Sequence, residues 1–342
     1  MSSGGRELHL VVPGLFTPPE GMAVGDIPRV PVLERLLARS RKRDATGQGL
    51  DATICALFGI GPESVGHLPT APYARLAQGG DPDDWYWVHA DPVFLRPDQD
   101  RVLVFDAAVL ALTQEEAETF TALFNSHFGN EGLRLEAPTP THWYLRVADR
   151  REARFSSLSE VTGRTMTPFL PQGEEARYWR RLLNETQMLF HNAEPNQRRT
   201  EMGRLPVGGV WFHGMGALST LPLVRWGHVV ASNDLARGLA QHTGVAVTTD
   251  IQEVVQSANG RVLVVRDELL RPVLDVDVAA WQQALVQLER DLSQWLRFNR
   301  YLSSVPIYLY ACDGVCRLFD ATARRQFWRR RRPLSRYLPD QR

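Results

Sequence analysis

Short apolar runs alternate with amphipathic segments along most of the chain. The runs are rich in β-branched or aromatic residues, which is typical of buried strands. Six of them predict strands of a main sheet, at 8–12, 210–212, 228–231, 245–248, 261–265 and 306–310. Apolar residues at helical spacing predict amphipathic helices at 31–40, 52–58, 174–191 and 278–298. This alternation favours an α/β fold with a doubly wound, mostly parallel sheet.

The stretch from 228 to 248 has the clearest local order. Leu235 and Leu239 give a helix its apolar face, Ser232 or Asn233 can cap it, and Gly244 can end it. A strand, a helix and a strand at this spacing form a parallel crossover. We therefore expect the loops after 212 and 231 at the carboxyl edge of the sheet, where open α/β sheets bind ligands.

From about 84 to 150 the pattern changes to short strands that bracket one helix. The strands are expected at 85–88, 93–95, 102–105, 133–135 and 143–147. Thr113 and Glu116 form the capping box of the helix. This pattern predicts a small inserted α+β cap at 84–150, and an α/β core made of 1–83 and 151–342.

Four motifs occur in an order and spacing that resemble a known family. They are Leu182-Leu183-Asn184-Glu185, Glu194-Pro195-Asn196-x-x-Arg199, Trp211-x-x-Gly214-x-Gly216 and Ala231-Ser232-x-Asp234-Leu235-x-Arg237-Gly238-Leu239. Together they resemble the cofactor-independent phosphoglycerate mutases of the archaeal type, which belong to the alkaline phosphatase superfamily. Across residues 7 to 335 the chain looks closest to the proteobacterial E-type regulatory proteins of the pathogenicity-factor regulation cluster. The resemblance implies the superfamily fold, with a cap that closes over the substrate.

The resemblance also implies a two-metal site for phosphoryl transfer, and most of its ligands are missing. Where the family has a metal-binding aspartate after the first strand, this chain has Pro13 and Gly14. Asp267 and Asp313 match two further metal-binding aspartates. However, Gly314 stands where the family has a histidine, and no histidine follows Asp267. A divalent ion, manganese or magnesium, is expected only if the chain is nevertheless an active mutase or phosphatase.

Thr70 stands where the family carries the serine that takes up the phosphoryl group. A threonine hydroxyl can act as a nucleophile when a metal or a base lowers its pKa. Thr70 is also compatible with a simple turn, because prolines flank it at 69 and 72. It is the one candidate catalytic residue.

Several polar residues of the cap and of the motifs are candidates for ligand binding, because arginine and histidine can hold a phosphate or a carboxylate. These candidates are Arg96, His142, Arg146, Asn196, Arg199, His213, Gly214, Gly216 and Asp234. The three cap residues are equally compatible with the outward face of strands, and His213 with a structural hydrogen bond. We expect the ligand site to combine the loop of His213 with Asn196, Arg199 and Asp234.

The composition excludes several classes of protein. With 342 residues, 44% hydrophobic residues and a formal net charge of +0, the chain is typical of globular proteins and has no overall charge that favours nucleic acid or membranes. No apolar run approaches the roughly 20 residues needed to cross a bilayer. Cys55, Cys312 and Cys316 lack metal-ligand companions and fit a reducing cytoplasm, where we expect the protein.

The C-terminal segment from Arg324 to Arg332 is strongly basic and contains two aromatic residues. It is compatible with a patch for nucleic acid or another anionic partner. It is equally compatible with a terminal helix in which Phe327 and Trp328 pack on the sheet.

These observations leave two functions. The first is a non-catalytic regulatory or ligand-binding protein on a mutase-like scaffold, with a small phosphorylated or carboxylate ligand and a regulatory protein partner. The alternative is an active mutase or phosphatase that interconverts 3- and 2-phosphoglycerate through a phosphorylated hydroxyl. Neither function needs a membrane.

Overall fold

The computed structural model of the protein describes residues 6–61, 68–82, 85–222, 226–257, 260–298 and 305–339. The chain folds into two compact units. The first unit contains Met1–Ile60 and Leu221–Arg342, and the second contains Gly61–Thr220. The segment 84–150, which we predicted as the cap, lies inside the second unit, and that unit also contains 61–83 and 151–220.

The described residues form both strands and α-helices. The strands are β1 (Glu7–Val11), β2 (Arg41–Gln48), β3 (Tyr86–Asp98), β4 (Arg101–Phe105), β5 (Leu133–Glu136), β6 (Tyr144–Val147), β7 (Gly209–Gly216), β8 (Trp226–Val230), β9 (Ala246–Thr248), β10 (Arg261–Val265), β11 (Ile307–Tyr310) and β12 (Asp313–Phe319). The α-helices are α1 (Pro31–Arg39), α2 (Leu50–Leu57), α3 (Thr70–Ala77), α4 (Gln114–Phe128), α5 (Leu158–Val161), α6 (Ala176–His191), α7 (Glu194–Glu201), α8 (Asp234–His242), α9 (Ile251–Ser257), α10 (Leu270–Leu274), α11 (Val278–Phe298) and α12 (Ala321–Arg325).

The first unit is built on a seven-stranded sheet in the order β2-β12-β11-β1-β10-β8-β9. The five strands from β11 to β9 are parallel, while β12 and β2 continue the sheet antiparallel. Leu8 and Leu10 point to one face and pack with residues of α1 and α11. On the other face His9 meets Trp226, which contacts Phe58 at the end of α2. The predicted fold class, α/β with a mostly parallel, doubly wound sheet, is confirmed.

The crossover predicted around 228–248 is also confirmed. Strands β8 and β9 are parallel neighbours. The helix between them, α8, is capped by Asn233, whose side chain accepts a hydrogen bond from the Ala236 N–H. Most of the basic run at 39–43 belongs to β2. There Arg41 pairs with Asp320.

The second unit is built on an antiparallel sheet around the long strand β3. This strand pairs with β6 and β4 along one edge and with β7 along the other. Val88 and Ala90 point to one face of the sheet and pack with Phe120 of α4 and Trp179 of α6. None of the helices in the described parts of the chain is long and apolar enough to span a bilayer.

Two sequence predictions in this region are wrong. The runs at 85–88 and 93–95 are one continuous strand, β3. Pro92 does not interrupt it, because this residue lies between the stretch paired with β6 and the stretch paired with β4, where no ladder hydrogen bond is required. The run at 210–212 belongs to β7 of the antiparallel sheet, and not to the parallel sheet.

Candidate functional site

Three ligating side chains meet on one face of the antiparallel sheet in the second unit. His89 and Asp91 are two residues apart on β3, so strand alternation points both to the same face. His213 on β7 lies directly opposite His89. The ligating atoms of the three side chains lie within 4.8 Å of one another, and all three side chains are nearly buried. We call these three residues the histidine–aspartate cluster.

Hydrogen bonds fix the carboxylate of the cluster. Asp91 Oδ2 lies 3.0 Å from His213 Nε2, and Asp91 Oδ1 accepts a hydrogen bond of 3.0 Å from the Trp143 backbone N–H. The rings of His89 and His213 stack with their centroids 4.4 Å apart and their planes at 9°. The ring of Tyr144 lies 5.1 Å from that of His89.

The charges of the cluster follow from its burial. Burial, and to a smaller degree the neighbouring His213, lowers the pKa of His89 to about 3, so His89 is neutral near pH 7. Burial opposes the ionisation of Asp91, but the hydrogen bond from His213 and the nearby imidazoles outweigh it. The pKa of Asp91 is therefore below its ordinary value. The cluster thus contains one neutral imidazole and one buried carboxylate.

Thr70 borders this cluster through Gly214. A β-carbon on Gly214 would lie 2.0 Å from Thr70 Oγ1 and 2.9 Å from His89 Cδ2, so the hydroxyl and the imidazole flank the same glycine. A β-carbon on Gly216 would lie 2.2 Å from Pro69 Cβ. The two glycines therefore let the start of α3 pack directly on β7, and Thr70 is a buried helix residue, not the turn residue we considered. His213, Gly214 and Gly216 lie within a strand, not in the loop we expected.

The predicted cap residues do not form one group. Arg96 and Arg146 are separated along β3 by nine residues, because Arg146 pairs with Trp87. That separation corresponds to roughly 30 Å of extended strand. His142 is exposed and precedes Trp143, whose N–H binds Asp91. Of the three, His142 is the one adjacent in the chain to Trp143, which contacts the cluster.

Arg146 belongs to a basic patch on the same face of the sheet as the cluster. It lies directly opposite Arg134 of β5, and its guanidinium carbon is 4.1 Å from the ring centre of Trp85. Arg75 and Arg134 both contact Glu136, at 2.8 and 3.7 Å. The Glu136 carboxylate thus pairs with two arginines, Arg75 and Arg134. Arg134 and Arg146 face each other across the strand ladder, and like charges in that position repel each other. We call Arg75, Arg134 and Arg146 the basic patch.

Asn196 and Arg199 lie in a separate, structural network. The Asn196 amide bonds to the backbone of Phe190 and Val207. The Arg199 side chain is 1% exposed, and it donates hydrogen bonds to both carboxylate oxygens of Glu116 at 2.8 Å and to backbone carbonyls. These contacts stabilise the core of the second unit. They do not bring either residue to the histidine–aspartate cluster.

Asp234 lies in the first unit, as the first residue of α8, where it pairs with Arg237 at 3.0 Å. At the carboxyl ends of β8 and β10 this unit has a cleft of about 470 Å³. Arg266 lines the cleft and is neutralised by Glu268 and Asp291, at 2.7 and 2.8 Å. The cleft lies at the sheet edge where open α/β folds bind ligands.

The residues that match the two-metal site of the mutases do not fit a metal pair. Asp313 is the first residue of β12, and its carboxylate receives two hydrogen bonds from Arg317, at 3.0 and 2.6 Å. The pKa of Asp267 is raised by burial and by Glu268. Gly14 has φ +78°, and a β-carbon there would lie 2.9 Å from the Leu269 carbonyl oxygen. In the described part of the chain, the histidine–aspartate cluster is the one group of three or more metal-type ligands.

The C-terminal segment from Arg324 to Arg332 differs from one of our two expectations. Phe327 and Trp328 are 77% and 66% exposed, so the expectation that they pack on the sheet is wrong. Their rings contact each other, with centroids 5.4 Å apart. Binding of an anionic partner by the neighbouring arginines stays a prediction.

Sequence reasoning missed His89 and Asp91. Both residues fall between the two runs that we predicted as separate strands. In the continuous strand β3 their His-x-Asp spacing places both side chains on one face. The third member of the cluster, His213, is 122 residues from Asp91 in the chain. Only the pairing of β3 with β7 reveals the group.

Comparisons with known proteins point to one family at low identity. No protein-family model matches the chain. It is 26% identical over 157 residues to the 2,3-bisphosphoglycerate-independent phosphoglycerate mutase of Methanosarcina barkeri, over 44% of this chain and 38% of that protein. It is 21% identical over 236 residues to the enzyme of the same name from Methanosarcina mazei, over 64% of this chain and 57% of that protein.

Among solved structures, the PH0037 protein of Pyrococcus horikoshii matches with a TM-score of 0.59 and 14% identity. The match covers 92% of this chain and 87% of that one, which shows a common fold. The matched part of the chain spans less than two thirds of the length of the two Methanosarcina enzymes. In sequence, the chain is similar at low identity to the 2,3-bisphosphoglycerate-independent phosphoglycerate mutases.

Proposed function

We propose that this protein is a non-catalytic relative of the phosphoglycerate mutases, with a regulatory role exercised through binding of a small anionic ligand. The observation that carries the proposal is the ion pair of Asp313 with Arg317. The guanidinium engages both carboxylate oxygens, at 2.6 and 3.0 Å, and its side chain is only 6% exposed. A carboxylate that a fixed internal cation already neutralises is a poor ligand for a divalent metal.

Two-metal phosphoryl transfer needs two ions about 4 Å apart that clamp the attacking and leaving oxygens. Several carboxylates and imidazoles must converge to hold such ions. Gly14 has no room for a side chain, Asp313 is paired with Arg317, and Asp267 is the remaining matching carboxylate. We therefore derive no step of phosphoryl transfer through metals at these positions.

The basic patch supports an anionic ligand. Arg146 faces Arg134 across the ladder, and Glu136 is the acid that contacts Arg75 and Arg134. A phosphate or a carboxylate placed there would relieve the repulsion through charge-assisted hydrogen bonds. Arg146 lies on β6 two residues beyond Tyr144, which packs on His89. The patch and the histidine–aspartate cluster thus share one face of the sheet.

Calorimetric titration with 3-phosphoglycerate, and separately with inorganic phosphate, tests this proposal. We expect saturable binding that Arg146→Gln weakens at least tenfold. The matched control is Arg177→Gln, which removes an exposed arginine of α6 in the same unit and should bind like the wild type. An enolase-coupled assay with manganese or magnesium should detect no turnover. Turnover, or binding that Arg146→Gln leaves unchanged, would contradict the proposal.

The second candidate function is an active mutase or phosphatase, and one observation favours it. Thr70, the matching nucleophile position, lies beside His89 through Gly214. An imidazole can activate a neighbouring hydroxyl as a base. This candidate predicts metal-dependent conversion of 3-phosphoglycerate that disappears in Thr70→Ala and persists in Thr70→Ser.

A further inference from the structure

We infer that His89, Asp91 and His213 form a binding site for one divalent transition-metal ion of the zinc class. The site lies in the antiparallel unit, and it does not use the positions that match the mutase metal ligands, Asp267 and Asp313. The inference therefore stands independently of the proposed function.

The donor set is of a recognised kind. Two imidazole nitrogens and one carboxylate oxygen suit zinc and other first-row ions, whereas magnesium and calcium prefer oxygen ligands alone. The three ligating atoms already lie within 4.8 Å of one another. Two neighbouring strands supply all three side chains, so the backbone hydrogen bonds between β3 and β7 fix their relative positions.

The surroundings stabilise a bound cation. Asp91 is 5% exposed, and its carboxylate faces imidazoles and one backbone N–H rather than an arginine or a lysine. A buried carboxylate is costly unless it is compensated by charge and hydrogen bonds, and a divalent ion would supply positive charge at this carboxylate. The Trp143 N–H that holds Asp91 Oδ1 acts as an outer contact that orients a ligating carboxylate.

Ion binding requires a small rearrangement of the cluster. In the stacked arrangement the rings of His89 and His213 are nearly parallel, so their in-plane lone pairs do not converge. At least one ring must turn about its side-chain bonds. The ion also replaces the hydrogen bond between Asp91 Oδ2 and His213 Nε2, so a proton on Nε2 moves to Nδ1 or leaves the ring.

Three protein ligands leave a coordination position open. A tetrahedral ion with three protein ligands carries a water or another exchangeable ligand in the fourth position. The Thr70 hydroxyl borders His89 across Gly214 and can contact a ligand in that position. The site is therefore suited to an ion that keeps one exchangeable ligand.

The test uses the full chain, stripped of metal with a chelator and then titrated with Zn²⁺ by calorimetry and with Co²⁺ by visible absorption. We expect one ion per chain, with a tetrahedral-type absorption band for Co²⁺. His89→Gln and His213→Asn should each weaken binding by more than the roughly 10–100-fold that loss of an outer contact costs, because each removes a direct ligand. His191→Gln removes an exposed histidine at the end of α6 and should bind like the wild type.

Circular dichroism of each variant establishes that it is folded before its affinity is compared. If His213→Asn fails to fold, the affinity of His89→Gln alone decides. The inference is overturned if the wild type binds no stoichiometric ion. It is equally overturned if folded His89→Gln binds Zn²⁺ with wild-type affinity.

Discussion

Asp91 and His213 lie on neighbouring antiparallel strands and are joined by a hydrogen bond of 3.0 Å between Oδ2 and Nε2. The same carboxylate holds the Trp143 backbone N–H through its other oxygen. Asp91 is therefore the link between β3, β7 and the start of β6. Both the stability of this face and the proposed metal site depend on it.

Replacement of Asp91 by alanine should lower the free energy of unfolding by about 3 kcal/mol, because the buried Trp143 N–H and His213 both lose their acceptor. Asp91→Asn keeps an oxygen for Trp143 and should cost less. Urea unfolding of both variants in the presence of a chelator measures the difference. Equal costs would show that the hydrogen bond to Trp143 contributes little.

Gly214→Ala should destabilise the second unit by more than the backbone conformation alone explains. Gly214 has φ +62°, and its new β-carbon would lie 2.0 Å from Thr70 Oγ1. The left-handed conformation costs roughly 1–2 kcal/mol and the overpacking roughly 1–3 kcal/mol more. Thermal or urea unfolding provides the measurement.

Gly203→Ala is the matched control for that variant, because Gly203 has φ +69° and no atom within 4 Å of the new β-carbon. It should show the conformational cost alone. Adding Thr70→Ala to Gly214→Ala should recover part of the loss, since it removes Oγ1. If Gly203→Ala and Gly214→Ala cost the same, Thr70 does not lie where we describe it.

A double-mutant cycle on Asp313 and Arg317 tests their ion pair. Asp313→Asn leaves the buried guanidinium without its carboxylate, so it should destabilise the first unit. Combining it with Arg317→Met removes the unpaired charge and should restore most of the loss. We expect a coupling energy of about 1–2 kcal/mol, modest because the Asp313 side chain is 34% exposed. Additive effects of the two substitutions would contradict a direct pair.

Stability of the first unit should fall with acid through His9. Burial lowers the pKa of His9 to about 4 from its ordinary 6.5, and the positive charge of Arg261 contributes in the same direction. Between these two values the unfolded chain binds the proton and the folded chain does not. The free energy of unfolding should therefore decline as pH falls from 6.5 to 4, by roughly 3 kcal/mol at about 1.4 kcal/mol per unit.

Urea unfolding at several pH values measures this decline. His9→Gln cannot titrate, so it should show a shallower pH dependence over the same window. His191→Gln, which removes an exposed histidine, should keep the wild-type dependence. An unchanged slope in His9→Gln would show that other groups cause the acid sensitivity.

Much of the fold could be predicted because its signals are local. The β8, α8 and β9 crossover follows from short apolar runs on either side of a capped helix. The capping box of Thr113 and Glu116 also forms as predicted. In each case the residues that determine the element lie within a few positions of one another, so their spacing is enough.

The pairing partner of a strand, by contrast, could not be predicted from local sequence. The run at 210–212 is apolar enough for either sheet, and nothing local indicates that it pairs with β3 rather than with a parallel neighbour. The runs at 85–88 and 93–95 were predicted as separate strands, yet both belong to β3, and Pro92 between them lies where β3 needs no hydrogen bond to β6 or β4. Consequently the residues Thr70, His213 and Gly214 were identified, but the His89 and Asp91 that complete their surroundings were not.

The central claim is that this scaffold does not interconvert phosphoglycerates. Phosphorus NMR of 3-phosphoglycerate incubated with the protein and magnesium, or with manganese that is chelated before recording, observes substrate and products directly. We predict that the 3-phosphoglycerate resonance remains unchanged. Growth of a 2-phosphoglycerate or an inorganic phosphate resonance with the wild type, absent with Thr70→Ala, would contradict the account.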